Sequence, residues 1–180
     1  MEKMKELRER MSQERPAQWR ELPDLGLYMD QVISYMPRQL ISFTGEEALT
    51  PAMVNNYIKD GLLPRAEGKK YNRTHLAYLT AICALKQVLS VRETKALLQA
   101  VADGEEDWAV YARFLGQLDM AMERAADALD PEIPAEELPG LAMSLALRSY
   151  ADKLACQRIL RLLDRQEDPK AARKRRSKEE

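Results

Sequence analysis

Apolar residues recur along this chain mostly at three- and four-residue intervals, the period of a helix with one buried face. Met1, Met4, Leu7 and Met11 give a narrow amphipathic helix at the N-terminus, and Pro16 and Pro23 interrupt the segment after it. The run "LGLYMDQVISYMPRQLISF" then reads as a helix ending near Phe43, with Leu27, Met29, Val32, Ile33, Met36 and Leu40 mostly on one face and Pro37 able to kink it.

The next helix carries clearer punctuation. Thr50 can cap it, Pro51 suits its first position, and Gly61 suits a left-handed stop. Val54, Tyr57, Ile58 and Leu62 form its apolar stripe, which leaves Ala52, Asn55, Asn56 and Lys59 on the opposite face. "LLPRAEGKKY" holds a proline and a glycine between short segments and reads as a small β-hairpin. Asn72 can cap a helix bearing Leu76, Leu79, Ile82, Cys83, Leu85 and Leu89. Ser90 and Glu93 form a capping box for another, which stops at Gly104. A long helix over Glu106–Leu129, a loop marked by Pro131, Pro134 and Pro139, and a final helix to Arg165 complete the pattern. The fold class expected is all-α with one small hairpin wing.

Length and charge sharpen this picture. With 180 residues, 46% of them apolar, the chain can bury a core as one domain or two small ones. The net charge of −1 conceals a strong asymmetry. Residues 50–101 hold 8 basic and 3 acidic side chains, whereas 102–164 hold 6 and 13. A basic block favours a polyanion, and nucleic acid is the first candidate. No run of about 18 apolar residues offers a membrane span, and the charged start is not a signal peptide. A cytoplasmic protein with Cys83 and Cys156 as reduced thiols is expected.

Enzyme chemistry finds little support. His75 is the one histidine, there is no Cys-x-x-Cys pair, and the seven glycines are scattered rather than gathered into a phosphate loop. No catalytic residue, metal site or cofactor is expected. His75, in a first helical turn beside the basic hairpin, is expected to face solvent or phosphate. Asparagine can contact adenine bidentately and lysine can reach guanine or phosphate, so Asn55, Asn56 and Lys59 suit a major groove. Lys69 and Lys70 could place a wing on the backbone. Thr50, Arg65, Tyr71 and Arg73, which border these segments, complete the candidate DNA-contact set.

The segment "MVNNYIKDGLLP…KKYNRTHLAYLTAICALKQVLSVRETKALL" resembles the DNA-binding domain of MerR-like regulators. Tyr57, Gly61, Leu62 and Leu63 match the end of that family's recognition helix, Lys70 and Tyr71 approximate the end of its wing, and Val88 to Leu98 matches the segment after it. The resemblance covers about 50 residues. Asn55 and Asn56 stand where the family has Arg-Tyr, the wing is short, and the link from the preceding helix to Thr50 is long. Together with "LPDLGLYMDQVI", the same stretch more closely resembles an uncharacterised bacterial family, domain of unknown function 1836.

These resemblances imply a winged helix-turn-helix over 27–102 and a transcriptional regulator that binds double-stranded DNA in a sequence-specific way. The remaining parts expected are an N-terminal helical arm over 1–26, a helical dimerisation or effector region over 103–166, and a basic disordered tail over 167–180. A homodimer would form through Glu106–Leu129, with Trp108, Tyr111, Leu115, Leu118 and Met122 along one face. The competing reading is a non-enzymatic helical adaptor that uses the winged helix to hold a protein.

Overall fold

The computed structural model describes residues 2–39 and 48–166. The helix end expected near Leu40 and Phe43, and the basic tail over 167–180, lie outside the described residues. The α-helices are α1 (Glu2–Gln13), α2 (Met29–Tyr35), α3 (Pro51–Lys59), α4 (Arg73–Leu85), α5 (Val91–Ala102), α6 (Asp107–Asp127) and α7 (Leu138–Gln166). There is no strand among the described residues, so the all-α class stands without the expected wing.

Local chemistry fixes the ends of these helices. The Thr50 hydroxyl accepts from Met53 N–H at 3.2 Å and starts α3. At the other end Leu62 N–H donates to the Tyr57 carbonyl at 2.8 Å and Gly61 N–H to Ile58 at 3.0 Å. That pair of bonds, with Gly61 at φ +68°, is a Schellman stop. The Asn72 side chain caps α4, and Ser90 and Glu93 cap each other's backbone at the start of α5.

α2 is shorter than the apolar run that suggests it. Leu27 is not helical but exchanges two backbone hydrogen bonds with Tyr71, each 2.8 Å. After Tyr35 the chain tightens into a 3-10 turn over Met36–Arg38, where Pro37 lacks the N–H that a continuing α-helix would use.

One core runs through most of these elements. Val32 and Met36 from α2 and the turn after it, Val54 and Tyr57 from α3, and Leu76, Leu79 and Ile82 from α4 are buried together. Fully buried aliphatics of this size contribute about 1.5–3 kcal/mol each. Tyr111 and Leu115 of α6 join the same cluster. α1 lies along α6, and Arg15, just beyond it, pairs with Asp119. Tyr111 also donates its hydroxyl to the Ala17 carbonyl at 2.9 Å. The α6 stripe expected to meet a second copy is therefore largely covered within the chain. Tyr111 and Leu115 are buried and Leu118 and Met122 half-buried, while Trp108 alone of the five is exposed. α7 packs on α5, and Leu160 in its second half is buried.

Candidate functional site

The polar face of α3 forms as its periodicity dictates. Val54 and Tyr57 point into the core, while Ala52, Asn55, Asn56 and Lys59 are exposed at positions i, i+3, i+4 and i+7. These four lie in one row and include no carboxylate. Asp60 follows as the C-cap residue, and its carbonyl accepts from Lys95 Nζ at 2.8 Å. An ammonium at that end offsets the partial negative charge of the last turn.

The segment after α3 is a turn rather than a hairpin. Glu67 and Lys70 exchange two backbone hydrogen bonds of 3.0 Å, around Gly68 at φ +54° and Lys69 at φ +68°. Positive φ at both central positions is the signature of a type I′ turn. Its arms cannot lengthen into strands because their backbone groups are engaged elsewhere. Pro64 has no N–H to give, and the Arg65 carbonyl meets His75 Nε2 at 3.1 Å. On the return side Tyr71 pairs with Leu27, and Asn72 is already the α4 cap. Lys69 therefore stands at the tip of a two-residue turn, and Lys70 closes the turn opposite Glu67.

His75 departs from its expected role. It is only 2% exposed and faces neither solvent nor phosphate. Asn72 N–H donates to its Nδ1 at 3.1 Å. Nδ1 also lies 2.6 Å from the Asn72 side-chain oxygen, and Nε2 lies 3.1 Å from the Arg65 carbonyl. The ring thus ties the start of α4 to the loop leaving α3.

Tyr71 is likewise buried, with its ring edge-on to His75 at 5.4 Å, and burial pushes its hydroxyl pKa up. It can anchor the turn but offers DNA no surface. Arg73 is half-buried and turned inward: Nε donates to the Leu22 carbonyl at 3.2 Å, Nη2 lies 3.2 Å from Asp24, and the guanidinium sits over Trp19. Thr50 serves as a helix cap.

The exposed members of the expected set that keep their polar groups outward are thus Asn55, Asn56, Lys59, Arg65, Lys69 and Lys70. Lys59 and Arg65 border one surface groove of about 510 Å³, floored by Leu62, Leu63 and Leu98. A third cation on this groove, Lys95, has no local signal in the sequence. It lies on α5, and only the packing of α5 against the α3 stop brings it there. Lys70 instead lies against Gly26 and holds its ammonium 5.5 Å from the Tyr28 ring centre.

Among the described residues no group of three or more His, Cys, Asp or Glu side chains could hold a metal ion. No described helix is long and apolar enough to cross a membrane. Cys83 is buried, and desolvation pushes its thiol up to about 11, which leaves it protonated and inert at neutral pH. Cys156 is half-buried.

No curated protein and no solved structure matches this chain. Residues 17–114, from just after α1 to the middle of α6, match the model of the family described as Domain of unknown function (DUF1836), and the chain belongs to that family.

Proposed function

We propose that the protein is a sequence-specific DNA-binding regulator of the MerR-like type, with α3 as its recognition helix. The observation that carries this reading is the row Ala52, Asn55, Asn56 and Lys59. It is exposed, lacks a carboxylate and sits on a helix fixed at both ends. Cations follow it in the chain: Arg65 on the groove shared with Lys59, Lys69 at the tip of the turn and Lys70 beside it. The division of labour follows from the side chains. The asparagine amides can each pair with one adenine edge and read sequence, whereas the lysines and Arg65 can neutralise phosphates without reading it.

The test is a selection on random duplex DNA followed by binding of variants to the selected site. Asn55→Ala or Asn56→Ala should cost roughly 1–3 kcal/mol on the preferred duplex and little on a scrambled one. Equal losses on both duplexes would remove α3 as the reading element. If the wild type selects no site at all, the same exposed face is better explained as the contact surface of a protein adaptor.

A further inference from the structure

α7 is 29 residues long, about 43 Å of helix, yet its first part buries little. From Leu138 to Ala155 no residue is buried, and only Leu141 and Leu145 are half-buried. Along the open side run Met143, Leu147, Tyr150 and Leu154, which are 66%, 61%, 61% and 48% exposed. Their spacing of four, three and four residues is that of a coiled-coil seam. A helix takes most of its stability from packing an apolar face, so a seam left in water is an incomplete structure.

We infer that this seam is the interface of a homodimer in which two copies of α7 pack antiparallel about a two-fold axis. Four features select a second copy as the occupant. The four-three-four spacing reads the same in both directions. A two-fold partner therefore sets Met143 against Leu154 of the partner subunit and Leu147 against Tyr150 of the partner subunit, and repeats both contacts by symmetry. Ser144, Ala146 and Ala151 flank the seam and are small enough to let two backbones approach. On helical geometry Arg148 and Asp152 fall on the reverse side and Lys153 at the edge, so closing the seam buries no charge. The chain's own C-terminal segment cannot serve instead, because residues 167–180 contain no large apolar side chain.

The area sets the strength expected. The four exposed side chains present roughly 450 Å² per copy, the size of the largest apolar patch on an ordinary monomer, which is often functional. With the small flanking residues, the pair would bury on the order of 1,000 Å² in total, at the low end for specific complexes. Association in the micromolar range is the expected strength. This surface lies outside the matched residues 17–114 and does not depend on the DNA reading.

The test is sedimentation velocity on the full chain between about 5 and about 200 μM, a range that brackets micromolar dissociation constants. The wild type should pass from 20.6 kDa towards twice that mass as concentration rises. Leu147→Glu should stay monomeric throughout. Its side chain is already in water, so helix content and melting temperature at low concentration should match the wild type. A wild type that stays monomeric to the top of the range, or a Leu147→Glu variant that dimerises equally well, would overturn the inference. Orientation is read separately by mixing Met143→Cys and Leu154→Cys chains under mild oxidation. Antiparallel packing yields the mixed crosslink in preference to either like pair, and a preference for like pairs would overturn the two-fold arrangement.

Discussion

Lys69 occupies a position that chemistry would ordinarily give to glycine or asparagine. Its φ of +68° is the one positive value among the described non-glycine residues. For a side chain with a Cβ that conformation costs roughly 1–2 kcal/mol. Replacing it by glycine relieves that strain but frees the unfolded chain by about 0.5–1 kcal/mol. Lys69→Gly should therefore stabilise the fold by about 0.5–1 kcal/mol. For a chain of this size that raises the melting temperature by about 1–4 °C. Lys70, at an ordinary negative φ with its stem on Gly26 and its ammonium near Tyr28, supplies the control: Lys70→Gly should destabilise. Thermal or urea unfolding of both variants reads these signs. The same Lys69→Gly change removes one cation from the turn. On the DNA reading, the slope of log affinity against log salt should then flatten by up to about 0.9. Stability and binding move in opposite directions, as expected where local strain is held for function. If Lys69→Gly lowers the melting temperature, the backbone reasoning is wrong. If it stabilises but leaves DNA affinity and salt slope untouched, the turn does not touch phosphate.

Substitutions at three other positions probe the interior and the helix ends. Thr50→Ala should cost about 1 kcal/mol through loss of the α3 cap, and Thr50→Ser should recover most of it in urea titrations. Thr94 is fully buried with its hydroxyl unpaired, so Thr94→Val should stabilise by about 1 kcal/mol, read as a higher urea midpoint at unchanged slope. Glu93 accepts hydrogen bonds from the Ser90 backbone, the Ser90 hydroxyl and Gln157, which hold its carboxyl below the usual glutamate range. A lowered folded pKa means the stabilisation is complete above the unfolded value and is lost as pH falls through the folded one. Stability should thus decline as pH falls below the ordinary glutamate value of about 4.3, and Glu93→Gln should make that decline shallower.

Local signals bring most of the helix boundaries into view. Thr50 with Pro51, Asn72, the Ser90–Glu93 pair and Gly61 each act within a few residues, so their effect does not depend on the rest of the fold. The exposed row of α3 is legible for the same reason, since helical period alone decides which side of a short amphipathic helix meets water. The features that stay hidden are set by distant partners. Leu27 reads as helical because its apolar neighbours do, but the backbone of Tyr71 claims it. Pro64, Gly68 and the lysines suggest a wing. Its length is decided by the Arg65 carbonyl going to His75 and by Asn72 starting α4 at once. His75, Tyr71 and Arg73 are polar residues in a basic stretch, and composition gives no sign of which way such side chains turn. The apolar stripe on α6 reads as a dimer seam, yet α1 and α4 lie against it, whereas α7 carries a seam of the same spacing with nothing upon it among the described residues.

The most direct test of DNA binding is a salt titration on duplexes. Wild type and the Lys69→Ala, Lys70→Ala double variant are each titrated on a selected duplex and on a scrambled one. The wild type should bind the selected duplex more tightly. The double variant should lose affinity for both duplexes alike, with the log–log salt slope flattened by up to about 1.8 for two lost phosphate contacts. Failure of the wild type to bind either duplex at low salt would contradict the DNA reading outright, and a double variant with an undiminished slope would remove the turn from the interface.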